Sequence, residues 1–337
     1  MGFLAWLSGQ KHAQHPQSGT VRLDEMIDRA IAVNPRLRLA QRHKERLGYA
    51  VAVSLDYIDR LTASLPPSHE ANAAAWSTDP FIRAFFATPD DLAKIFSRSE
   101  QLRGFFAQNS DLTHAYATLG MAMYERRVLG VALEGELVRH DVAQTKLCFS
   151  DHRIIICGRT ETDLRDEIAR RLVDQLALEG LARLAVDRRD LVAKGRELLE
   201  ARVALLERRG VGIRSVLGDR PDADADELAR LEVQIEENAR NLAALRVPTE
   251  AVELELDRVC DVYSHPTDHL YVERRSIRLD LMNVIRQDDT QASHEIEFRV
   301  ARIPGDPPRT RAFALVRYPR AELLRAGLHI DAAMRAL

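Results

Sequence analysis

The sequence predicts an α+β fold, mainly helical. An N-terminal helical domain is followed by a mostly antiparallel sheet domain, which a long antiparallel coiled-coil hairpin interrupts. Three patterns carry that expectation: apolar residues at helical spacing from residue 21 to about 129, a switch to period two from Val131, and leucines repeating every seven residues between Leu184 and Leu205. The 337 residues suffice for two domains. A composition of 46% hydrophobic and 29% charged residues suits a folded chain rather than a disordered one.

Residues 1–20 read as a flexible, apolar-tipped leader. Its tip, Phe3, Leu4, Trp6 and Leu7, lacks the basic leading segment of a secretory signal and is far too short to span a bilayer. Peripheral membrane contact through residues 3–7 is a minor reading beside a frayed or self-docked end. No other stretch supplies the roughly 20 apolar residues that a spanning helix needs.

The helical domain is assigned to 21–129. Leu23, Met26, Ile27, Ala30 and Ile31 form a first stripe, which Asn34-Pro35 ends. Leu47, Val51, Leu55, Ile58 and Leu65 form a second, stopped by Pro66-Pro67. Thr88-Pro89-Asp90-Asp91 has the cap, the proline and the acids of a helix start. Phe81, Phe85, Phe86, Phe96, Phe105 and Phe106 are read as core rather than as an aromatic pocket.

Residues 130–183 are the first part of the α+β domain. Alternation from Val131 and a β-rich run on each side of Ser150-Asp151-His152 predict a hairpin turning there, and a helix is expected from Thr160 or Thr162. Residues 248–337 are the second part: a helix from Pro248 to about His265, then strands around Val272, Ile277–Leu279, Ile296–Val300 and Phe313–Leu315.

Between these parts lies the hairpin, 184–247. Leu184, Leu191, Leu198 and Leu205 mark its first arm, with Val192, Leu199 and Leu206 on the adjoining position. Leu228, Leu231, Ile235, Asn238, Leu242 and Leu245 mark the second. Residues 187–214 hold eight basic and five acidic residues, 219–246 four and eight, so the arms attract. Asn238 is read as a register device, because a buried amide needs a partner. At the glycine-bounded bend Val211, Ile213, Val216 and Leu217 are apolar where a bare loop would be polar, so they form the candidate partner-binding tip.

Chemistry-bearing patterns are sparse. Cys260, His265 and His269, with His294, form the best metal candidate, a Cys-x4-His-x3-His set suited to zinc but lacking a second cysteine pair. His140-Asp141 and Asp151-His152 place carboxylates beside imidazoles, yet neighbours on a strand point oppositely and no nucleophile signature accompanies them. Cys148 and Cys157 do not fall opposite each other in the expected hairpin. Arg274, Arg275 and Arg278 could hold an anion, but arginine is abundant throughout, with only five lysines among the 48 basic residues.

Net charge −3 gives no wide basic footprint, so dedicated nucleic-acid binding is not expected. Three cysteines are too few for a disulfide framework, which favours a reducing, cytoplasmic setting. The expectation is therefore a cytoplasmic, non-enzymatic interaction or adaptor protein that needs no cofactor. It would use the projecting hairpin and its tip to bind a protein partner or a second copy. The alternative is a zinc-dependent hydrolase built on Cys260, His265 and His269.

Overall fold

A computed structural model describes residues 16–134, 137–208, 225–244, 248–286, 293–303 and 309–325. In chain order the helices are α1 (Pro16–Val33), α2 (His43–Ala63), α3 (Ala73–Thr78), α4 (Pro80–Phe85), α5 (Pro89–Arg98), α6 (Glu100–Gln108), α7 (Glu161–Arg208), α8 (Ala225–Ala244) and α9 (Pro248–Ser264). The strands are β1 (His69–Glu70), β2 (His114–Glu134), β3 (Leu137–Gly158), β4 (Val272–Asp280), β5 (Ser293–Ile303) and β6 (Arg309–Pro319). The fold is α+β and mainly helical, and a long helical hairpin interrupts its mostly antiparallel sheet.

Two compact units divide the chain: Met1–Tyr57 with Leu172–His269, and Ile58–Arg171 with Leu270–Leu337. Of the three cuts, two fall inside α2 and α7 and the third between His269 and Leu270.

In the unit that holds the strands, the sheet order is β3-β2-β6-β5-β4. β1 pairs in parallel with β6 at His69↔Val316 and Glu70↔Arg317, beyond the point where β5 leaves that edge at Phe313. Residues 283–285 then close the ring. On one side Leu147 N donates to Asn283 O and Ile285 N to Thr145 O, both 2.8 Å; on the other, Asp280 N donates to Val284 O (3.1 Å) and Arg286 N to Arg278 O (3.0 Å). Asn283 makes the return possible with a positive φ of 60°, a conformation asparagine tolerates.

Inside this ring and under α4–α6 lies the main core. Phe85, Phe86, Phe96 and Phe106 are buried with Leu119, Met121, Phe298 and Tyr318, and Phe81 and Phe105 pack against them. The phenylalanines are core, as the sequence indicates. Thr88 Oγ1 caps α5 by accepting from Asp91 N at 3.2 Å. Arg165 of α7 closes the end of α2, donating to the carbonyls of Thr62, Leu65 and Pro66.

Three expectations are corrected here. The stretch 114–129 is strand, not helix: Ala115, Ala117, Leu119 and Met121 are buried in alternation, but their partners Tyr116, Thr118 and Gly120 are too weakly polar to display the period. Ser150-Asp151-His152 is not a turn. β3 runs through it, and between the pairs Gly120↔Arg153 and Ala122↔Ser150 it carries one residue more than β2, a bulge in which Asp151 takes φ 49°. The β2–β3 pairing instead runs out to Glu134↔Leu137. Finally, α1 begins at Pro16, inside the expected leader, since proline fits the first helical position.

The other unit is helical. Met26, Ile27 and Ile31 of α1, Leu47 and Val51 of α2, Val173 and Leu176 of α7, and Val252, Leu256 and Val259 of α9 are all buried. Polar ties align them: Arg29 makes a two-pronged contact with Asp174 (3.1 and 2.5 Å), Asn34 Nδ2 donates to Glu255 (2.9 Å), and Tyr263 OH donates to Val173 O (2.7 Å). α9, expected beside the strands, thus has its apolar face closed by helices of its own unit. No helix among the described residues is long and apolar enough to cross a membrane.

Candidate interaction site

The hairpin is built from α7 beyond residue 184 and from α8. Along α7, Leu191, Gly195, Leu198, Arg202 and Leu205 are buried or half-buried at steps of four and three; along α8, Leu228, Leu231, Ile235, Asn238 and Leu242 do the same. The arms are antiparallel: Asn238 meets α7 at Leu191 and Gly195, whereas Arg202, further along α7, meets Glu232, earlier on α8.

Asn238 is 6% exposed and donates from Nδ2 to Leu191 O at 3.1 Å. A Cβ at position 195 would lie 2.8 Å from that nitrogen, so any larger residue there would require the amide to shift. This gives the register role a mechanism: sliding the arms by one turn would bury the amide against side chains that offer it no carbonyl. Arg202 enters the same seam and reaches Glu232 at 3.3 Å from its terminal nitrogen.

The seam takes one of the two apolar rows on α7. Leu198 and Leu205 are buried in it, while Val192 (57% exposed), Leu199 (52%) and Val203 (56%) form a separate stripe at i, i+7 and i+11. Together with Ala204 and Leu242 they line a shallow groove flanked by Arg196 and Glu200. The heptad reading singled out Val192 and Leu199 but not Val203; the signal was Val203's place four residues after Leu199. Val211, Ile213, Val216 and Leu217 lie outside the described residues, as does the side chain of Leu206.

The metal candidates are not assembled. Cys260 and His265 sit on and after α9, His269 follows a short 3-10 turn, and His294 is on β5 in the other unit. His265 Nδ1 is 3.0 Å from Asp261 O. The His269 ring is 5% exposed, with Nδ1 3.8 Å from Glu179 Oε1, and desolvation holds its pKa below the usual imidazole range. Among the described residues no three His, Cys, Asp or Glu are grouped so as to hold a metal ion.

The Asp151–His152 pair is not set up for proton transfer. Asp151 is held ionised by hydrogen bonds from Arg311 and Arg153, while His152, its pKa lowered by burial, stacks on Phe86 and contacts Phe85 O at 2.9 Å. The arginine cluster is engaged in its own ladder: Arg274 lies 3.4 Å from Glu297, Arg275 lies 3.6 Å from Glu273, and Arg278 stands opposite Glu295.

All three cysteines are free and half-buried. Burial pushes the Cys157 thiol up to about 12 and the Cys260 thiol up to about 11. The protonated, weakly nucleophilic form is therefore favoured in both. At pH 8 fewer than about one in a hundred of either thiol is ionised. Iodoacetamide at that pH is expected to leave Cys157 and Cys260 unlabelled in the folded protein and to modify both in denaturant, as read by peptide mass spectrometry. Fast labelling of native Cys260 would refute the assignment.

Comparison with protein-family models, with curated proteins and with solved structures finds no match to this chain.

Proposed function

We propose that this chain is a non-enzymatic interaction protein of the cytoplasm whose helical hairpin holds a protein partner. The observation that carries the reading is the second apolar stripe of α7: Val192, Leu199 and Val203 remain more than half exposed after α8 has taken its place. Three aliphatic residues on one face of a helix that already has a partner offer a row of knobs for another helix. The candidate tip residues Val211, Ile213, Val216 and Leu217 follow α7 in the sequence and belong to the same proposal. Free cysteines support a reducing compartment, and no assembled catalytic or metal constellation among the described residues competes with the hairpin.

The partner surface that fits is an amphipathic helix with an aliphatic face and charges at its margins. The test compares the full-length protein with its Val192→Ser/Leu199→Ser/Val203→Ser variant. A partner recovered with the wild type, then purified and titrated, is expected to bind the variant at least ~10-fold more weakly, a loss of about 1.4 kcal/mol. Circular dichroism should show unchanged helicity. Equal affinity for both proteins would defeat the proposal.

A further inference from the structure

We infer that the Val192–Leu199–Val203 stripe is occupied by the same stripe of a second copy, antiparallel across a two-fold axis, so that two hairpins form a four-helix bundle. This deepens the hairpin reading by naming the occupant. The stripe is well placed: at 3.6 residues per turn Leu199 lies about 100° around α7 from Leu198, so a helix seated there stands roughly at right angles to the seam with α8.

What selects a second copy is self-complementarity about a single point, residue 198. Turning α7 over about that point brings Arg196 opposite Glu200 of the other copy, and Glu200 opposite Arg196. These side chains are 82% and 65% exposed and already paired within one helix at 2.9 Å. The same rotation sets Val192 opposite Ala204 and Val203 opposite Ala193, large against small, and brings the two Leu199 residues together beside the axis. All of these residues are exposed in the single chain. An isologous contact requires this reciprocity, in which residue i meets j and j meets i. A parallel pairing would instead place Arg196 against Arg196 and Glu200 against Glu200, and like charges so placed oppose association. The exposed ion pairs contribute little energy and chiefly set direction, whereas the aliphatic stripe supplies the attraction.

Sedimentation of the full-length protein tests this. The wild type is expected to move with concentration from the chain mass of 38.1 kDa towards twice that value. Leu199→Glu should remain at the chain mass. Arg196→Glu gives four acidic groups around the axis and Glu200→Arg four basic ones, so each variant alone should be a monomer. Mixed in equal amounts, the two should recover the doubled mass, because each supplies the charges that the other lacks. Unchanged helicity by circular dichroism guards against unfolding. A wild type that stays at the chain mass throughout, or charge variants that self-associate as the wild type does, would overturn the inference. A monomeric wild type that still binds another protein through Val192, Leu199 and Val203 would overturn it too, while leaving the hairpin's role as a contact element intact.

Discussion

Phe96→Ala is expected to cost about 3–5 kcal/mol, the largest loss from any single truncation considered for this chain. Phe96 lies on α5 with no exposed surface. Its ring stacks on Tyr318 at a centroid distance of 4.4 Å and an interplanar angle of 6°, and Phe86 lies 6.1 Å away. Tyr318 cannot move into the vacancy, because its hydroxyl donates to Glu322 O at 2.9 Å and its backbone is laddered to β2 at Ala115. A fixed neighbour means that the cavity stays open, which sets the cost at the upper end for its chemistry. Urea unfolding should show a lower midpoint at unchanged slope. Trp76 is a local reporter, since its indole donates to Phe86 O at 2.9 Å. Phe96→Leu should lose less than half as much. A loss below about 1 kcal/mol for alanine would mean that the ring of strands collapses onto the space, contrary to the packing described.

How legible the fold was depended on how strongly each residue type declares its period. The helices with proline or capping punctuation were readable: Asn34-Pro35 ends α1, Pro66-Pro67 follows the end of α2, Thr88 caps α5 and Pro248 opens α9. The strands β4 to β6 were readable as well, since charged residues alternate with Ile277, Leu279, Ile296 and Phe298. The first part of β2, up to residue 129, is hidden because alanine, glycine and methionine carry no β signal, and its small residues Ala115 and Ala117 are buried by packing that their own types do not announce. The bulge at Asp151 resembles a turn in sequence because both use a positive-φ aspartate.

At the site, the heptad leucines revealed the seam, and Asn238 its register. The seam's other side was not legible: Gly195 and Arg202 occupy positions where an apolar residue is expected, and only the pairing with α8 shows that glycine makes room for an amide and arginine reaches across to Glu232. The same pairing shows which leucines are used. Leu198 and Leu199 are adjacent and chemically identical, yet one is 9% exposed and the other 52%. The Cys-x4-His-x3-His spacing of Cys260, His265 and His269 describes the chain alone: among the described residues no three His, Cys, Asp or Glu are grouped so as to hold a metal ion.

Gly180→Val should cost about 3 kcal/mol, as a substitution that overfills rather than empties. Gly180 is buried where α7 crosses α9, and a Cβ there would meet Val259 Cα at 2.7 Å and its Cγ2 at 2.9 Å. The nearest atom belongs to the backbone, so no rotamer change relieves the clash and the two helices must separate. Separation also loosens Tyr263, whose hydroxyl reaches Val173 O from α9, and so spreads the loss beyond one contact. The companion variant decides the cause. Val259→Ala removes Cγ2 but leaves Cα in place, so the double variant should be no more stable than Gly180→Val alone; recovery of the thermal midpoint would show that the valine side chain, not the backbone, sets the approach. The variant also separates stability from association. Leu199 lies 19 residues further along the same helix, about 28 Å at 1.5 Å per residue, and its stripe lies beside the seam with α8, about 100° around α7 from Leu198. Below its thermal midpoint, Gly180→Val should therefore retain the mass behaviour of the wild type, because the contact between copies uses a part of α7 that the crossing at Gly180 does not touch.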